Sequence, residues 1–252
     1  MMQEKIIASH AGYESQGRFI NGYLARPAVN AARPGIVLLS AMWGLNWTQK
    51  EITRTFARAG FIALSPDLLD GQLPKDRASA LLAKTSLDVD RSVSEIVSAA
   101  HYLHKLPWIG GQGRLGVVGF CLGGGLALLA LARTKEFNAG VIYHHSLFPD
   151  AEELRGISCK VLGHYGTEDD TTPREEVESF RAALKKYGKP HEIIYYKGMK
   201  HGFVDSPLLK DSPNRRQAAG RSLNRSYKFL RDELAPETSG SKAIRGIARS
   251  RK

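Results

Sequence analysis

The residues with the clearest chemical meaning surround Cys121, within the segment Gly119-Phe-Cys-Leu-Gly-Gly-Gly125. A β-branched, strand-like run precedes this segment, and a helix of small and aliphatic residues follows it. A cysteine at such a turn is typical of a nucleophile elbow, in which the residues two before and two after the nucleophile must be small. Gly119 and Gly123 meet that requirement. The turn also puts the sulfur at a helix N-terminus, where the helix dipole and free N–H groups favour a thiolate.

Two other interpretations of this segment remain open. The cysteine could be inert and buried in a glycine-rich turn between a strand and a helix. The glycines could instead form a phosphate-binding loop, but their spacing is not G-x-G-x-x-G and the strand before them is not the first of the chain. The segment therefore favours a cysteine nucleophile.

A cysteine nucleophile needs a base that takes its proton and an acid that orients that base. Asp169 and Asp170 follow a predicted strand at 159–164, and His201 follows another at 191–196. Because the carboxyl ends of parallel strands meet at one edge of a sheet, these side chains can converge with Cys121. Spacing alone does not separate the two aspartates, and a solvated loop carboxylate or a surface histidine is the alternative for each position.

Two further histidines, His144 and His145, follow the predicted strand at 139–143. They precede the acid in sequence, whereas the expected order is nucleophile, acid, histidine. We therefore interpret them as core or pocket-lining residues.

The oxyanion that forms on attack needs two N–H donors. One is expected from the backbone of Leu122, directly after the nucleophile, and the other from the loop after the strand at 35–40, where Met42 lies. Trp43 in the same loop could wall an apolar pocket, with simple core packing as the alternative.

The elements that must position these residues alternate between strands and helices. We predict strands at about 35–40, 61–65, 114–120, 139–143, 159–164 and 191–196, an antiparallel pair near 5–8 and 20–26, and helices at about 48–59, 77–105, 122–133, 173–187 and 215–234. This alternation predicts an α/β fold with a mostly parallel, twisted sheet covered by helices on both faces. We expect a single domain over residues 1–235 and a basic, disordered tail over 236–252.

The composition bounds the class of protein. The chain has 252 residues, two cysteines and a formal net charge of +11. Two distant cysteines suit a reducing cytoplasm, and no stretch is apolar enough for a membrane span, so we expect a soluble cytoplasmic protein. Much of the positive charge lies in the last helix and the tail, where charge runs are usually solvated. We therefore do not expect nucleic acid as a partner, although the basic balance suits an anionic small substrate.

The residues described above resemble the dienelactone hydrolase family (carboxymethylenebutenolidases) of α/β-hydrolases over roughly residues 17–234. The likeness rests on Gly119-Phe-Cys-Leu-Gly-Gly124, Trp43-Gly-Leu-Asn46 with Ser65-Pro-Asp-Leu68, Gly166-x-x-Asp169-x-x-x-Pro173, and His201-Gly-Phe203. The resemblance implies the α/β-hydrolase fold and a Cys121–His201–Asp169 triad, selects Asp169 over Asp170, and assigns the oxyanion N–H groups to Leu122 and Met42. It implies no metal and no organic cofactor.

The sequence departs from the family's pattern at two positions. The family commonly has a glutamate just before the residue matching Met42, where it takes part in activating the thiol; here that position is Ala41. The best-known members also have an arginine four residues after the catalytic histidine, where this chain has Asp205. Arg77 lies where the family keeps another anion-binding arginine. We name Trp43, Arg77 and Phe203 as candidate substrate-binding residues.

These observations predict a hydrolase that cleaves a small carboxylic ester or lactone through a thioester acyl-enzyme, acting as a monomer or homodimer. The replacement of the glutamate by Ala41 keeps a catalytically impaired ligand-binding protein as the alternative. A nucleic-acid-associated protein is a third hypothesis, motivated only by the basic C-terminal end. The sequence does not name the acyl group or the ring size of a lactone.

Overall fold

Eight strands form one sheet in the computed structural model of the chain, which describes residues 5–109, 113–206 and 209–235. In chain order they are β1 Ile6–Ser15, β2 Arg18–Pro27, β3 Gly35–Leu39, β4 Ile62–Pro66, β5 Leu115–Phe120, β6 Ala139–Tyr143, β7 Lys160–Gly166 and β8 His191–Tyr196. Across the sheet they lie in the order β1-β2-β4-β3-β5-β6-β7-β8. The antiparallel pair β1–β2 joins β4 antiparallel, and β4, β3 and β5 to β8 run parallel. The predicted mostly parallel sheet is confirmed.

Helices cover both faces of this sheet. They are α1 Trp47–Arg58, α2 Arg77–Thr85, α3 Val89–His104, α4 Leu122–Arg133, α5 Arg174–Lys186 and α6 Pro213–Leu234. One apolar cluster joins the sheet to α3, α4 and α5, and a second joins it to α1 and α6. Successive residues of β3 alternate between the two clusters, because side chains along a strand point to opposite faces. Because β3 is buried on both faces, its sequence is a continuous apolar run, and that run is what predicted the strand.

The region predicted as one helix over 77–105 consists of two helices, which is a correction to the sequence analysis. Asp88 separates them, because its side chain accepts a hydrogen bond from the Arg91 N–H at 3.0 Å and caps the start of α3. The short α2 has its own cap, Asp76, which accepts from the Ser79 N–H at 2.8 Å. The break frees α2 to lie over the edge of the sheet where the candidate residues gather.

The tail predicted over 236–252 lies outside the described residues. Within the described part of the chain, every helix is too short or too polar to cross a membrane.

Candidate active site

The turn around Cys121 is strained in the way a nucleophile elbow requires. Cys121 has φ 53° and ψ −112°, in a region that residues with a side chain rarely adopt. A Cβ at position 119 would lie 2.0 Å from the Gly123 carbonyl oxygen, and one at position 123 would lie 2.5 Å from the Leu39 carbonyl oxygen. Both positions must be glycine, since the backbone on either side of the cysteine closes on itself and on β3.

The loop after β6 packs on the same turn. The Ser146 N–H donates to the Cys121 carbonyl oxygen at 3.0 Å, and the Ser146 Oγ lies 3.1 Å from the Cys121 sulfur. A Cβ at Gly125 would meet the Leu147 carbonyl oxygen at 2.3 Å. The glycines at the start of α4 therefore let the 144–147 loop approach the cysteine closely.

His201 and Asp169 form a hydrogen-bonded pair across two loops at the carboxyl edge of the sheet. The imidazole Nδ1 lies 3.0 Å and 3.1 Å from the two carboxylate oxygens. Asp169 is itself held by the N–H groups of Thr171 and Thr172, which donate to Oδ1 at 2.9 Å and 2.7 Å. Its carboxylate is fully buried, whereas Asp170 is exposed at the cleft.

The electrostatics of His201 favour its protonated form. Burial lowers its pKa, but the hydrogen bond with Asp169 and the neighbouring Cys121 outweigh burial and raise the pKa to about 10. The opposite ring nitrogen, Nε2, is buried and makes no aligned hydrogen bond with any described residue. Cys121 therefore raises the pKa of the imidazole as a close electrostatic neighbour.

Cys121 and His201 line one cleft of about 300 Å³. Its apolar part includes Met42, Trp43 and Leu81. Its basic side chains are Arg77 and Lys84 of α2, together with Lys200. The cleft therefore combines an apolar wall with three basic side chains, and the carboxylates of Asp170 and Asp205 also line it.

Leu122 and Met42, the predicted oxyanion donors, are both close to Cys121. Leu122 is the first residue of α4, so its N–H has no acceptor within the helix. Met42 follows the end of β3, which the Gly123 N–H holds against α4 by donating to the Ser40 carbonyl oxygen at 3.2 Å. Met42 lines the cleft, whereas Leu122 is buried directly after Cys121, so their role as oxyanion donors stays a prediction.

The two departures from the family's pattern have distinct structural consequences. Ala41 packs in a small apolar cluster with Trp43, Ala80 and Cys121, so no carboxylate stands at that position beside the sulfur. Asp205 is buried and lies 3.1 Å from the Nε2 of His144. Burial acts to raise the pKa of Asp205, but the charge and hydrogen bond of His144 hold it below its ordinary value.

His144 and His145 are both buried, as expected for core residues. The His144 ring packs edge-on against His201, with centroids 4.7 Å apart. The carboxylate of Asp205 therefore faces a histidine behind the cleft, where the best-known members have an arginine for the substrate.

Phe203, named as a candidate substrate contact, lies outside this cleft. Gly202, with φ 73°, turns the backbone after His201. Phe203 is 1% exposed and packs among the rings of Tyr143, His144 and Tyr196. Its structural role is to support the loop that bears His201. The other two candidates, Trp43 and Arg77, do line the cleft.

Several residues of the cleft were not predicted from the sequence, and Ser146 and Lys84 are the two among them that contact each other beside Cys121. Ser146 follows β6 at the same edge of the sheet as Asp169 and His201, which was the available signal. Lys84 is seven residues after Arg77, a spacing that puts both on one face of a helix. The Lys84 ammonium donates to the Ser146 carbonyl oxygen at 2.8 Å and to its Oγ at 3.1 Å.

The described residues hold no group of three or more His, Cys, Asp or Glu side chains arranged to bind a metal ion. The polar groups that meet at the cleft include the Cys121 sulfur and the His201 imidazole, which the Asp169 carboxylate contacts from its other side.

Known proteins resemble this chain along most of its length. The sequence profile of the dienelactone hydrolase family matches residues 20–234. A Bradyrhizobium protein named "Probable 2-oxo-3-(5-oxofuran-2-ylidene)propanoate lactonase" is 27% identical over 247 residues, covering 93% of this chain and 98% of its own. Carboxymethylenebutenolidase 1 of Cupriavidus pinatubonensis is 29% identical, covering 83% and 89% of the two chains.

The fold is shared with a solved Klebsiella pneumoniae structure described as a candidate dienelactone hydrolase. It superposes with a TM-score of 0.81 at 21% identity, over 92% of this chain and all of the other. At that identity the likeness establishes the α/β-hydrolase fold, while the family profile spans the elbow, both partner loops and all six helices. The chain therefore belongs to the dienelactone hydrolase family and is a hydrolase of that type.

Proposed function

We propose that this protein cleaves a small carboxylic ester or lactone, with Cys121 as nucleophile, His201 as general base and acid, and Asp169 as the residue that orients His201. The observation that supports this most strongly is the strained cysteine that shares a cleft with an imidazole, whose far side is hydrogen-bonded to a buried carboxylate. An inert core cysteine has no need of strain, of a partner imidazole or of access to a cleft.

In the first half of the reaction, His201 takes the Cys121 proton and the thiolate attacks the substrate carbonyl carbon. A C–S bond forms, and the carbonyl π electrons move to the oxygen, where the N–H groups of Leu122 and Met42 stabilise the negative charge. The intermediate collapses, the C–O bond breaks, and the leaving oxygen takes the proton from His201. The product of this half is a thioester on Cys121.

In the second half, His201 takes a proton from water while the water oxygen attacks the thioester. Collapse of the second tetrahedral intermediate breaks the C–S bond, expels the thiolate and releases the acid. Throughout, Asp169 keeps Nδ1 protonated, so that Nε2 is the nitrogen that exchanges the proton. A lactone opens by the same steps, with its leaving oxygen still attached to the acyl group.

The relatives' names and the cleft together favour an anionic substrate with an apolar acyl part. The Bradyrhizobium and Cupriavidus relatives are named for lactone substrates that are carboxylates. Arg77 lines the cleft and is our candidate anchor for such a carboxylate, with Trp43 against the apolar part. Because this chain has Asp205 where the best-known members have an arginine, we expect it to bind the substrate carboxylate through different residues.

Ala41 has a consequence for the resting state of the enzyme. Without a competing carboxylate beside the sulfur, Cys121 pairs with the His201 imidazolium and persists as a thiolate that is prone to oxidation. Alkylation of Cys121 by iodoacetamide should therefore be fast at pH 7. A rate that rises only above about pH 8, as for a free thiol, would contradict this.

A second candidate function follows from the same observation. The absence of the activating glutamate at Ala41 is compatible with a protein that binds an ester or lactone without turning it over. Such a protein would show saturable binding with no acid released, and the Ala41→Glu variant would then gain turnover that the natural chain lacks.

The experiment that separates these functions is a panel of p-nitrophenyl esters, thioesters and lactones, including cis- and trans-dienelactone. Wild type, Cys121→Ala, Cys121→Ser and Ala41→Glu are compared at equal concentration. We expect turnover by wild type and its loss in Cys121→Ala. Undiminished turnover in Cys121→Ala would reject the proposed nucleophile.

We further propose that the protein works in a reducing cytoplasm as a monomer or homodimer, with its catalytic domain ending near residue 235. Both Cys121 and Cys159 are free thiols, which a reducing compartment preserves. A chain shortened to end at Ala235 should keep its esterase or lactonase activity. If the full chain binds DNA and the shortened chain does not, the nucleic-acid hypothesis is favoured instead.

A further inference from the structure

The sulfur of Cys121 has a second polar neighbour that the proposed mechanism does not use. Ser146 Oγ lies 3.1 Å from it, and the Lys84 ammonium lies 3.1 Å from that same Oγ. Lys84 belongs to α2 and Ser146 to the loop after β6, so the contact joins two elements 62 residues apart. Ser146 is 8% exposed, which makes its hydroxyl part of the packed wall of the cleft.

The direction of the hydrogen bonds in this chain follows from the chemistry of its members. A lysine ammonium can only donate, so Ser146 Oγ accepts from Lys84. The single hydroxyl proton of Ser146 is then free to point along its remaining short contact, which is the Cys121 sulfur. A hydroxyl that donates to a thiolate forms a charge-assisted hydrogen bond, stronger than a bond to the neutral thiol.

We propose that Ser146 donates a hydrogen bond to the Cys121 thiolate, and that Lys84 is the positioning residue that fixes the direction of that hydroxyl. This inference rests on the proposed function, because it describes the resting state of the same nucleophile. It gives the sulfur two supports, the imidazolium of His201 on one side and the Lys84–Ser146 pair on the other.

Backbone hydrogen bonds hold Ser146 and Lys84 in place beside the turn that contains Cys121. The Ser146 N–H donates to the Cys121 carbonyl oxygen, and the Lys84 ammonium also donates to the Ser146 carbonyl oxygen. Ala41, on the other hand, offers no acceptor beside the sulfur. Where the best-known members of the family have a carboxylate that takes part in activating the thiol, this chain has a hydroxyl that stabilises the thiolate.

The test is the pH dependence of Cys121 alkylation by iodoacetamide in the full chain, followed by peptide mass spectrometry. Burial raises the pKa of Cys159 to about 12, so this second thiol reacts slowly near neutral pH and is resolved as a separate peptide. We expect Ser146→Ala to move the acid limb of the profile up by about one pH unit, the loss of one hydrogen bond to a charged group. Lys84→Met should move it in the same direction.

The double variant should shift the limb by less than the two single shifts together, because both substitutions break one network. Ser146→Thr keeps a hydroxyl and Lys84→Arg keeps a donor, so both should leave the limb close to that of wild type. Lys200→Met removes another positive charge from the cleft. Its shift should be smaller than that of Lys84→Met if the hydrogen-bonded chain, rather than general positive charge, supports the thiolate.

An unmoved acid limb in Ser146→Ala, or an equal shift in Lys200→Met, would overturn the inference. A melting temperature lowered by Lys84→Met with no shift of the limb would likewise reduce Lys84 to a structural tether. Alkylation needs no turnover, so the two proposals fail separately. Ester cleavage lost in Cys121→Ala with no limb shift in Ser146→Ala rejects only the inference, and a limb shift in a protein that cleaves no ester rejects only the proposed function.

Discussion

Asp169 and Asp170 are adjacent in sequence and chemically identical, yet their surroundings assign them different tasks. Asp169 is buried, accepts hydrogen bonds from two backbone N–H groups and faces the Nδ1 of His201. Asp170 is exposed at the cleft. The spacing along the chain did not distinguish them, because both follow β7 and both are compatible with a loop. Burial and hydrogen bonding provide the distinction at the scale of single residues.

The matched pair Asp169→Asn and Asp170→Asn tests this assignment. An asparagine at 169 can hold the imidazole in the wrong tautomer, so we expect kcat to fall by roughly 10³- to 10⁴-fold. The exposed Asp170→Asn should stay within about threefold of wild type, since it removes no partner of His201. Steady-state kinetics on one activated ester measures both, and equal losses in the two variants would contradict the assignment.

At the scale of elements, close backbone approach around the start of α4 explains its glycines. A Cβ at Gly125 would lie 2.3 Å from the Leu147 carbonyl oxygen, whereas a Cβ at Gly220 in α6 would meet nothing within 4 Å. The same residue type is therefore required at one helix and dispensable at another. The loop that bears Ser146 depends on the first of these glycines.

Gly125→Ala should lower the free energy of unfolding by about 1–3 kcal/mol, because the added methyl group overpacks the contact between α4 and the 144–147 loop. The control Gly220→Ala should raise it by roughly 0.5–1 kcal/mol, through reduced freedom of the unfolded chain. Urea unfolding of both variants checks this. Equal stability of the two would show that the 144–147 loop does not pack on α4 as described.

A second element-scale device holds the loop after His201. The Arg215 guanidinium, in the first turn of α6, donates to the carbonyl oxygens of Phe203, Ser206 and Leu209 at 2.9, 2.9 and 2.6 Å. That loop includes Asp205, which contacts His144, and the His144 ring packs against the imidazole of His201. The geometry of His201 is thus tied to the N-terminus of the last helix.

Replacing Arg215 by Met should lower kcat/KM about tenfold, because the three carbonyl groups lose their shared donor and the loop loosens. Arg216→Met is the matched control, since its guanidinium pairs with the exposed Asp211 at the surface. This variant should keep the wild-type rate. A loss of similar size in Arg216→Met would mean that the positive charge of α6, and not the hydrogen bonds from Arg215 to the loop, affects catalysis.

The sequence predicts an element well when the pattern of buried and exposed residues marks both of its ends. The helix at 122–133 and the strands at 139–143 and 191–196 coincide with α4, β6 and β8, since their apolar runs end at sharp polar or glycine boundaries. The break between α2 and α3 was missed, because the side-chain cap at Asp88 interrupts a region that contains no glycine or proline.

The sequence predicts site residues well when a chemically reactive residue directly follows a strand. It predicts them poorly when their contacts depend on how distant elements pack together. Cys121, Asp169 and His201 each follow a strand, so their convergence could be anticipated. The contact of Lys84 with Ser146 depends on where α2 lies over the sheet, which no local pattern states. Phe203 was misjudged because the turn at Gly202 directs it into the core, a consequence of backbone geometry.

At the scale of the whole molecule, buried histidines with opposite electrostatics couple stability to pH. Burial lowers the pKa of His145 and of His164 to about 3, whereas Asp169 and Cys121 raise that of His201 to about 10 against its own burial. Below pH 6.5, the unfolded chain takes up protons that the folded His145 and His164 refuse, so stability falls. The raised pKa of His201 belongs to its pair with Cys121. An imidazolium with a thiolate holds one proton, as the neutral unfolded pair does between pH 6.5 and about pH 8.5, so this pair adds little pH dependence there.

The free energy of unfolding should therefore fall on the acid side of about pH 6.5 by up to about 2.7 kcal/mol per pH unit, for two protons. His164→Gln should make the acid slope shallower by about one proton, and the exposed His10→Gln should leave it unchanged. Urea unfolding from pH 7 to pH 4 measures the slopes. A stability that is flat between pH 7 and pH 5 would contradict the buried, neutral state of these histidines.

Rapid-quench mass spectrometry provides the sharpest test of the proposal that a thioester forms on Cys121. The full chain is mixed with an activated ester, stopped in acid within milliseconds, and digested for peptide mapping. We predict an acyl group on the peptide that contains Cys121, formed and lost at rates that account for kcat, and no such adduct in Cys121→Ala. Turnover at the wild-type rate with no acyl group on Cys121, or with the group on another residue, would contradict the account.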